Sequence, residues 1–164
     1  MSEPVIEKAK SPEESEITMT ELVIPNDENI LGNVLGGRVM HWIDLSAATA
    51  AHRHCNSICV TASIEGMSFL HPIKLGELAH LKARVVFTGR TSLVVRVIIH
   101  SEDMDTGEKL KTTEAYLTFV CLGKDGKPRP VPQLKIESDE DRAEFKKAAE
   151  IHERRSHRRR QEKK

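Results

Sequence analysis

No stretch of this sequence approaches the roughly 20 consecutive apolar residues that a bilayer-spanning helix requires. The opening residues, MSEPVIEKAKSPEESE, are polar and acidic and hold no apolar segment of the secretory type, so a soluble cytoplasmic protein without a membrane partner is expected. Cysteine is sparse. Cys55, Cys59 and Cys121 are odd in number and show no CxxC spacing, which argues against a disulfide framework and against a zinc site. Free thiols fit a reducing compartment. Net charge is absent too: 25 Lys and Arg balance 25 Asp and Glu, so the molecule as a whole offers no field for nucleic acid. The charge is unevenly placed, since nine Lys and Arg stand against three Glu from Lys146 onward. The terminal RRSHRRRQEKK nevertheless carries no aromatic side chain on which a base would stack, and a solvated helix is the expectation there. Neither HExxH nor GxSxG occurs, and His41, His52 and His54 lack metal-ligand spacing, so no metal site and no serine triad is expected. No internal repeat is visible.

What remains is a chain of 164 residues, enough for one domain with a real core and two tails. Residues 1–14 read as a flexible tail, rich in Glu, Ser and Pro. A first strand is expected over 17–24, ending at Pro25. The turn residues Pro25, Asn26, Asp27 and Asn29 then lead through Gly32, Asn33, Gly36 and Gly37 into a helix from about Leu35 to His54. Val39, Met40, Ile43, Ala47, Ala50 and Ala51 fall on one face of that helix. Its alanines make the face thin, so the helix axis can sit close to whatever covers it.

Four strand-like segments follow. Ile58 to Glu65 alternates until Gly66 interrupts it as a bulge. Ala79 to Phe87 and Leu93 to Ile99 flank a turn at Thr88–Ser92, and Ala115 to Cys121 follows a turn at Asp105–Gly107. One helix and five mostly antiparallel strands make an α+β layer arrangement. Val86, Val94, Ile98 and Val120 give the sheet a second apolar face, which another subunit or the C-terminal tail would cover. Ser138 and Asp141 mark a helix start, with Asp139, Glu140 and Asp141 in its first turn. A charged helix with a weak apolar face around Phe145 and Ala149 is expected from there on.

Chemistry concentrates around the long helix. Gly36 and Gly37 permit close approach to a helix start whose free N–H groups suit the oxygen of a thioester or ester carbonyl; the plain alternative is a tight turn. Asn33 can hold a carbonyl or a water, or serve as a cap. Asp44 lies at the border of the buried stripe. No Lys or Arg stands at positions 40, 41, 47 or 48 to pair with it, so a role as base or nucleophile is favoured over an ion pair. Arg90, Thr91 and Ser92 form a polar turn able to meet phosphate oxygens, or simply a hairpin.

The stretches GNVLGGRVMHWIDLSAATAAHRHCN and VTASIEGMSFLHPIKLGE, with TGRTSLVVRV, TGEKL, TTEAYLTFV and DGKPRPVP, together resemble the acyl-CoA thioesterases of the hotdog fold, in the subgroup of cytosolic acyl-CoA hydrolases. The likeness covers roughly residues 16–134, framing a domain over 15–134 and a charged helical tail over 135–164. It implies a long central helix wrapped by an antiparallel sheet, homodimers joined edge to edge, and hexamers built as trimers of dimers. It implies hydrolysis of acyl-CoA to free CoA and a carboxylic acid, with no cofactor. It implies a catalytic pair, the Asn of GNVxGG and the Asp of the helix, here Asn33 and Asp44, acting across the dimer interface. The N–H of Gly37, beside Gly36, would polarise the carbonyl. Two rivals share the fold: an enoyl-CoA hydratase or dehydratase, and a non-catalytic acyl-CoA-binding regulator.

Overall fold

The computed structural model describes residues 8–163. In chain order these form α1 (Pro12–Ser15), β1 (Ile17–Leu22), a single 3-10 turn (Pro25–Asp27), α2 (Gly36–Cys55), β2 (Cys59–Phe69), β3 (Leu78–Thr88), β4 (Ser92–Glu102), β5 (Lys109–Cys121) and α3 (Asp139–Glu162). The five strands make one antiparallel sheet in the order β1-β3-β4-β5-β2. The short turns expected between the last three strands produce the β3-β4-β5 meander. β2 precedes that meander in sequence but pairs at its far edge, next to β5.

The alternation of each strand decides which face meets α2. Leu81, Ala83 and Val85 of β3, Val95, Val97 and Ile99 of β4, and Ala115, Leu117 and Phe119 of β5 point to one side and are buried. Val39, Ile43, Ala47, Ala50 and Ala51 of α2 seal against them in a single apolar cluster. Each large side chain enclosed there contributes about 1.5–3 kcal/mol. The alanine-rich stripe thus does what its thinness implies and lets the helix lie close to the sheet. Met40 departs from the expected stripe and is exposed, while Trp42 is buried in its place. The helix stops at Asn56, which adopts the left-handed conformation (φ 48°) that asparagine tolerates better than most residues.

α3 covers the opposite face of the sheet, so the tail is the element that shields Val86 and Val94. These two and Tyr116 enclose Ala148 and Ile151 in a second cluster. The Phe87 and Phe145 rings pack with centroids 4.9 Å apart. The helical seam therefore runs through Phe145, Ala148 and Ile151, one position away from the expected Ala149. Ser138 caps the helix as its spacing indicated, its Oγ accepting from the Asp141 N–H at 3.0 Å. Polar pairs surround the seam. Arg84 donates to Asp141 at 2.8 Å, and Arg96 binds Glu114 at 2.7 Å and also Glu144 of α3.

The N-terminal tail differs from the expectation over part of its length. Residues 1–7 lie outside the described residues. Lys10, however, pairs with the 133–135 segment (Lys10 N–H to Gln133 O 3.1 Å, Lys135 N–H to Lys10 O 2.7 Å) and reaches the His54 carbonyl with its ammonium at 2.8 Å. Pro12 and Ser15 are buried. Composition gave no sign of these backbone contacts, because they depend on a segment more than 100 positions away in sequence.

Glu114 supplies a pH test of the α3 interface. Burial pushes its carboxyl up, but hydrogen bonds from Lys111 and Arg96 outweigh burial and bring it down to about 2 from the ordinary 4.5. The folded form therefore binds fewer protons than the unfolded one in this window. The stabilisation is present above the ordinary value of 4.5 and is lost as pH falls through the folded value of about 2. Thermal melts across that range are expected to show a steeper fall in Tm for the native protein than for Glu114→Gln.

Candidate active site

The loop before α2 is built on asparagine side-chain and backbone hydrogen bonds. Asn29 Oδ1 accepts from the Leu31 N–H at 2.9 Å and the Asn33 N–H at 3.3 Å. The Asn29 N–H donates to the Asn33 carbonyl at 2.7 Å. Gly32 turns the chain at φ +77°, a conformation that favours glycine. The Val34 N–H donates to Ile73 O at 2.8 Å and the Leu75 N–H to Gly32 O at 3.0 Å, which fastens the loop to the segment between β2 and β3. Buried Asp27 then joins the loop to α2 twice: its carbonyl accepts from the Leu35 N–H at 2.7 Å and its carboxylate holds Arg38 at 2.8 Å.

This loop forms one wall of a cleft of about 360 Å³ lined by Asn29, Asn33, Gly36, Phe69, His71 and Thr113 among others. The α2 axis starts at its rim. Gly36 and Gly37 are exposed, neither has positive φ, and a Cβ added to either would meet no atom within 4 Å. The chain's own backbone and packing therefore do not require glycine at these positions. Among the described residues no acceptor pairs with their N–H groups, as expected for the first turn of a helix. No hydrogen bond within the described residues involves the Asn33 side chain. Asn29 is different: its oxygen is committed to the backbone, so its amide N–H groups are left as oriented donors.

Asp44 lies elsewhere. It is half-buried and more than two turns into α2, about 12 Å along the axis from Gly36. Its Oδ1 accepts from the Thr61 hydroxyl of β2 at 2.7 Å. It does not line the asparagine cleft. Within one chain the structure leaves Asn33 and Asp44 apart, while it brings Asn33, Asn29 and Gly36 together. Thr61 was not singled out in the sequence; nothing in its spacing tells it from its strand neighbours, and only the packing of β2 beside α2 brings it to Asp44.

The Arg90–Ser92 turn contributes nothing to this cleft. The Ser92 Oγ is 2.8 Å from His152 Nε2 of α3, the Arg90 carbonyl accepts from the Val131 N–H at 2.9 Å, and the Arg90 side chain is exposed. Of the helix histidines, His41 and His52 are exposed, and His54 is a core residue whose Nε2 lies 2.8 Å from the Pro132 carbonyl. A larger hollow of about 700 Å³, lined by Glu65, Tyr116, Lys147, Arg154 and Arg158, opens between α3 and the bend of β2 and holds none of the expected site residues. The three cysteines, distant in sequence, converge: their sulfurs lie within 4.8 Å of one another.

Comparison with known proteins gives this arrangement a family. The sequence profile of the thioesterase superfamily matches residues 31–108. An uncharacterized acyl-CoA thioester hydrolase of Bacillus subtilis is 38% identical over 128 residues, which is 78% of this chain and 74% of that protein. The chain spans 35% of the cytosolic acyl coenzyme A thioester hydrolase of Mus musculus, with 32% identity over 133 residues. A hexameric acyl-CoA thioesterase superposes with a TM-score of 0.87 at 40% identity, covering 92% of this chain and 97% of that one. An acyl-CoA hydrolase of Staphylococcus aureus, solved with butyryl coenzyme A, coenzyme A and coenzyme A disulfide, superposes with a TM-score of 0.88 at 35% identity over 94% of each chain. It has also been solved with an aspartate, a threonine or an asparagine replaced by alanine; that aspartate follows the asparagine by 15 positions and precedes the threonine by 17. The chain belongs to the thioesterase superfamily, among the hotdog-fold acyl-CoA thioester hydrolases.

Proposed function

We propose that the protein hydrolyses acyl-CoA to coenzyme A and a carboxylic acid at a site completed by two copies of the chain. The observation that carries this reading is the division of the site within one chain. One half is a cleft with free helix N–H donors and an oriented asparagine. The other is a carboxylate held ready by a threonine, beyond reach of that cleft. The surroundings support a shared site, since Ile30, Leu31, Leu35, Met40, Leu45 and Phe69 are exposed apolar side chains that a second copy or an acyl chain would cover.

Spacing favours Asn29 over Asn33 for the asparagine. Asp44 and Thr61 stand 17 positions apart, as do the replaced pair of the S. aureus hydrolase, and 15 positions before Asp44 is Asn29. The hydrogen bonds agree, because only Asn29 has its side-chain oxygen fixed by backbone N–H groups, which leaves its amide N–H groups as donors unpaired among the described residues. In the reaction the thioester oxygen rests against the Gly37 N–H, with Gly36 and the asparagine beside it. Asp44 of the second copy takes a proton from a water that attacks the carbonyl carbon, or attacks that carbon itself. Collapse of the tetrahedral adduct expels the CoA thiolate, which recovers a proton; where Asp44 itself attacked, a water then hydrolyses the acyl-Asp44 anhydride to release the acid and restore the carboxylate. Water and protein groups suffice for each step. Arg90 and Thr91 remain open to the nucleotide phosphates, whereas the Ser92 hydroxyl is held by His152.

Assembly into a hexamer of three dimers and a cytoplasmic location belong to the same proposal. The hexameric relative supports the first and the unbridged thiols the second. The test is release of free thiol from acyl-CoAs of graded chain length; binding without release would leave only a regulator. Asn29→Ala is expected to lower kcat by about 100-fold or more, as for loss of one donor to a developing oxyanion. Asn33→Ala is expected to cost less than about tenfold under the same assay. The reverse order would return the role to Asn33.

A further inference from the structure

Cys59 opens β2 and stands directly opposite Cys121 of β5 in the antiparallel register. The ladder bond falls on the adjacent pair, Leu122 N–H to Ile58 O at 2.8 Å, and the Cys121 N–H turns away to Thr91 O at 3.0 Å. Cys59 and Cys121 are thus a non-hydrogen-bonded pair, whose Cα atoms lie about 4.5 Å apart with side chains on one face. That separation falls inside the range a disulfide spans, about 4.4–6.8 Å. Cys55, the last residue of α2, completes the cluster, and all three sulfurs lie within 4.8 Å of one another. They are unbridged in this structure.

The three thiols are not equivalent. Cys55 and Cys121 are sealed in the core, but Cys59 is half-buried and, within one chain, lines a hollow with Leu45, Ala48, His52 and Ile58. The Cys55 S–H holds the Cys59 thiol below its usual range, against the effect of burial and with help from the Cys121 thiol and Arg129. Cys55 is pushed up, by that same hydrogen bond and by burial. Cys121 is pushed up chiefly by burial. The half-buried Cys59 thiol, which donates to the Ser57 carbonyl at 3.6 Å and is eased toward ionisation, is therefore flanked by two thiols shifted the other way, the pattern of a reactive cysteine beside its resolving partner.

We propose that Cys59 is a modification site for hydroperoxides, resolved by Cys121 into a reversible cross-strand disulfide. The Cys59 thiolate attacks the O–O bond, takes one oxygen as a sulfenic acid and releases hydroxide or alkoxide. The Cys121 thiol then attacks that sulfur and expels water. Two thiols have lost two electrons, and the peroxide has accepted them. The disulfide fastens the start of β2, two residues before Thr61, whose hydroxyl holds Asp44.

The experiment treats the full-length protein with a few equivalents of hydrogen peroxide, alkylates the remaining thiols and maps the peptides without reduction. The expected result is loss of two of the three free thiols, a mass lower by two hydrogens, a Cys59–Cys121 linkage, and full reversal by dithiothreitol. Cys55→Ala is expected to keep the linkage. Cys121→Ala is expected to lose it and to accumulate a sulfenic acid on Cys59 that dimedone traps. Three unreacted thiols in the native protein, or a Cys55–Cys59 bond in place of the cross-strand one, would overturn the proposal, and both results are read without relying on either variant.

Discussion

Asp44→Ala is expected to reduce thioester hydrolysis by at least about 1,000-fold in kcat while leaving the protein folded and assembled. Both parts follow from where the side chain sits. It is half-buried on the border of α2, it makes a hydrogen bond to Thr61, and no cation pairs with it among the described residues. Removing it deletes no ion pair and leaves no buried charge unmatched, so the structural cost is small. The S. aureus hydrolase with its aspartate replaced by alanine superposes on this chain with a TM-score of 0.88, which shows the fold accommodating that change in a relative. The measurement is thiol release at saturating acyl-CoA, with size-exclusion elution and Tm as controls. A variant with native turnover would remove Asp44 from the chemistry. A single turnover in ¹⁸O-water then tests the nucleophilic role: label entering the Asp44 carboxylate marks it as nucleophile, and where label is confined to the product acid, hydroxylamine trapping of an acyl-Asp44 anhydride separates a nucleophile from a base.

How much of this was legible beforehand depends on the range of the interaction that carried it. The long helix, its alanine stripe, the border position of Asp44, the two hairpin turns and the Ser138 cap all rest on neighbours within a few positions, and periodicity or turn chemistry reports those. Gly66 interrupts β2 as expected, at φ +58° beside a register shift between Glu65 and Ser68. Features joining distant segments left no such trace. The Thr61–Asp44 bond needs β2 to lie beside α2, the Cys59–Cys121 pairing needs the exact strand register, and the Lys10 contacts need the segment around Leu134. The choice between Asn29 and Asn33 fell between these cases. Both are turn asparagines in one short loop, and what separates them is the pair of backbone N–H groups that the Asn29 side chain accepts and the spacing shared with the S. aureus hydrolase. Ser92 shows the opposite lesson, since a turn with suitable donors for phosphate proves to have its hydroxyl already engaged by a helix 60 residues away.

Two inactive variants are expected to restore each other when mixed. If the asparagine of one copy and the aspartate of another share a site, a dimer of one Asp44→Ala subunit and one Asn29→Ala subunit contains one site lacking both groups and one site lacking neither. Random reassortment makes about half of the dimers mixed, each with one intact site of two, so activity should return to about a quarter of the native value from near zero. The geometry supports this outcome, because Asn29 lies in the loop before α2, whereas Asp44 lies more than two turns into the helix, held by Thr61 and outside the cleft that Asn29 lines. A site contained within one chain predicts the contrary result, since every subunit in the mixture would then lack one of its two groups and no combination would be active. The variants should be mixed under conditions that exchange subunits, with exchange confirmed by native mass spectrometry on tags of different mass, and thiol release followed over time. Recovery that tracks formation of mixed dimers would assign the catalytic unit to the pair of chains. Full exchange without recovery would place the whole site within one.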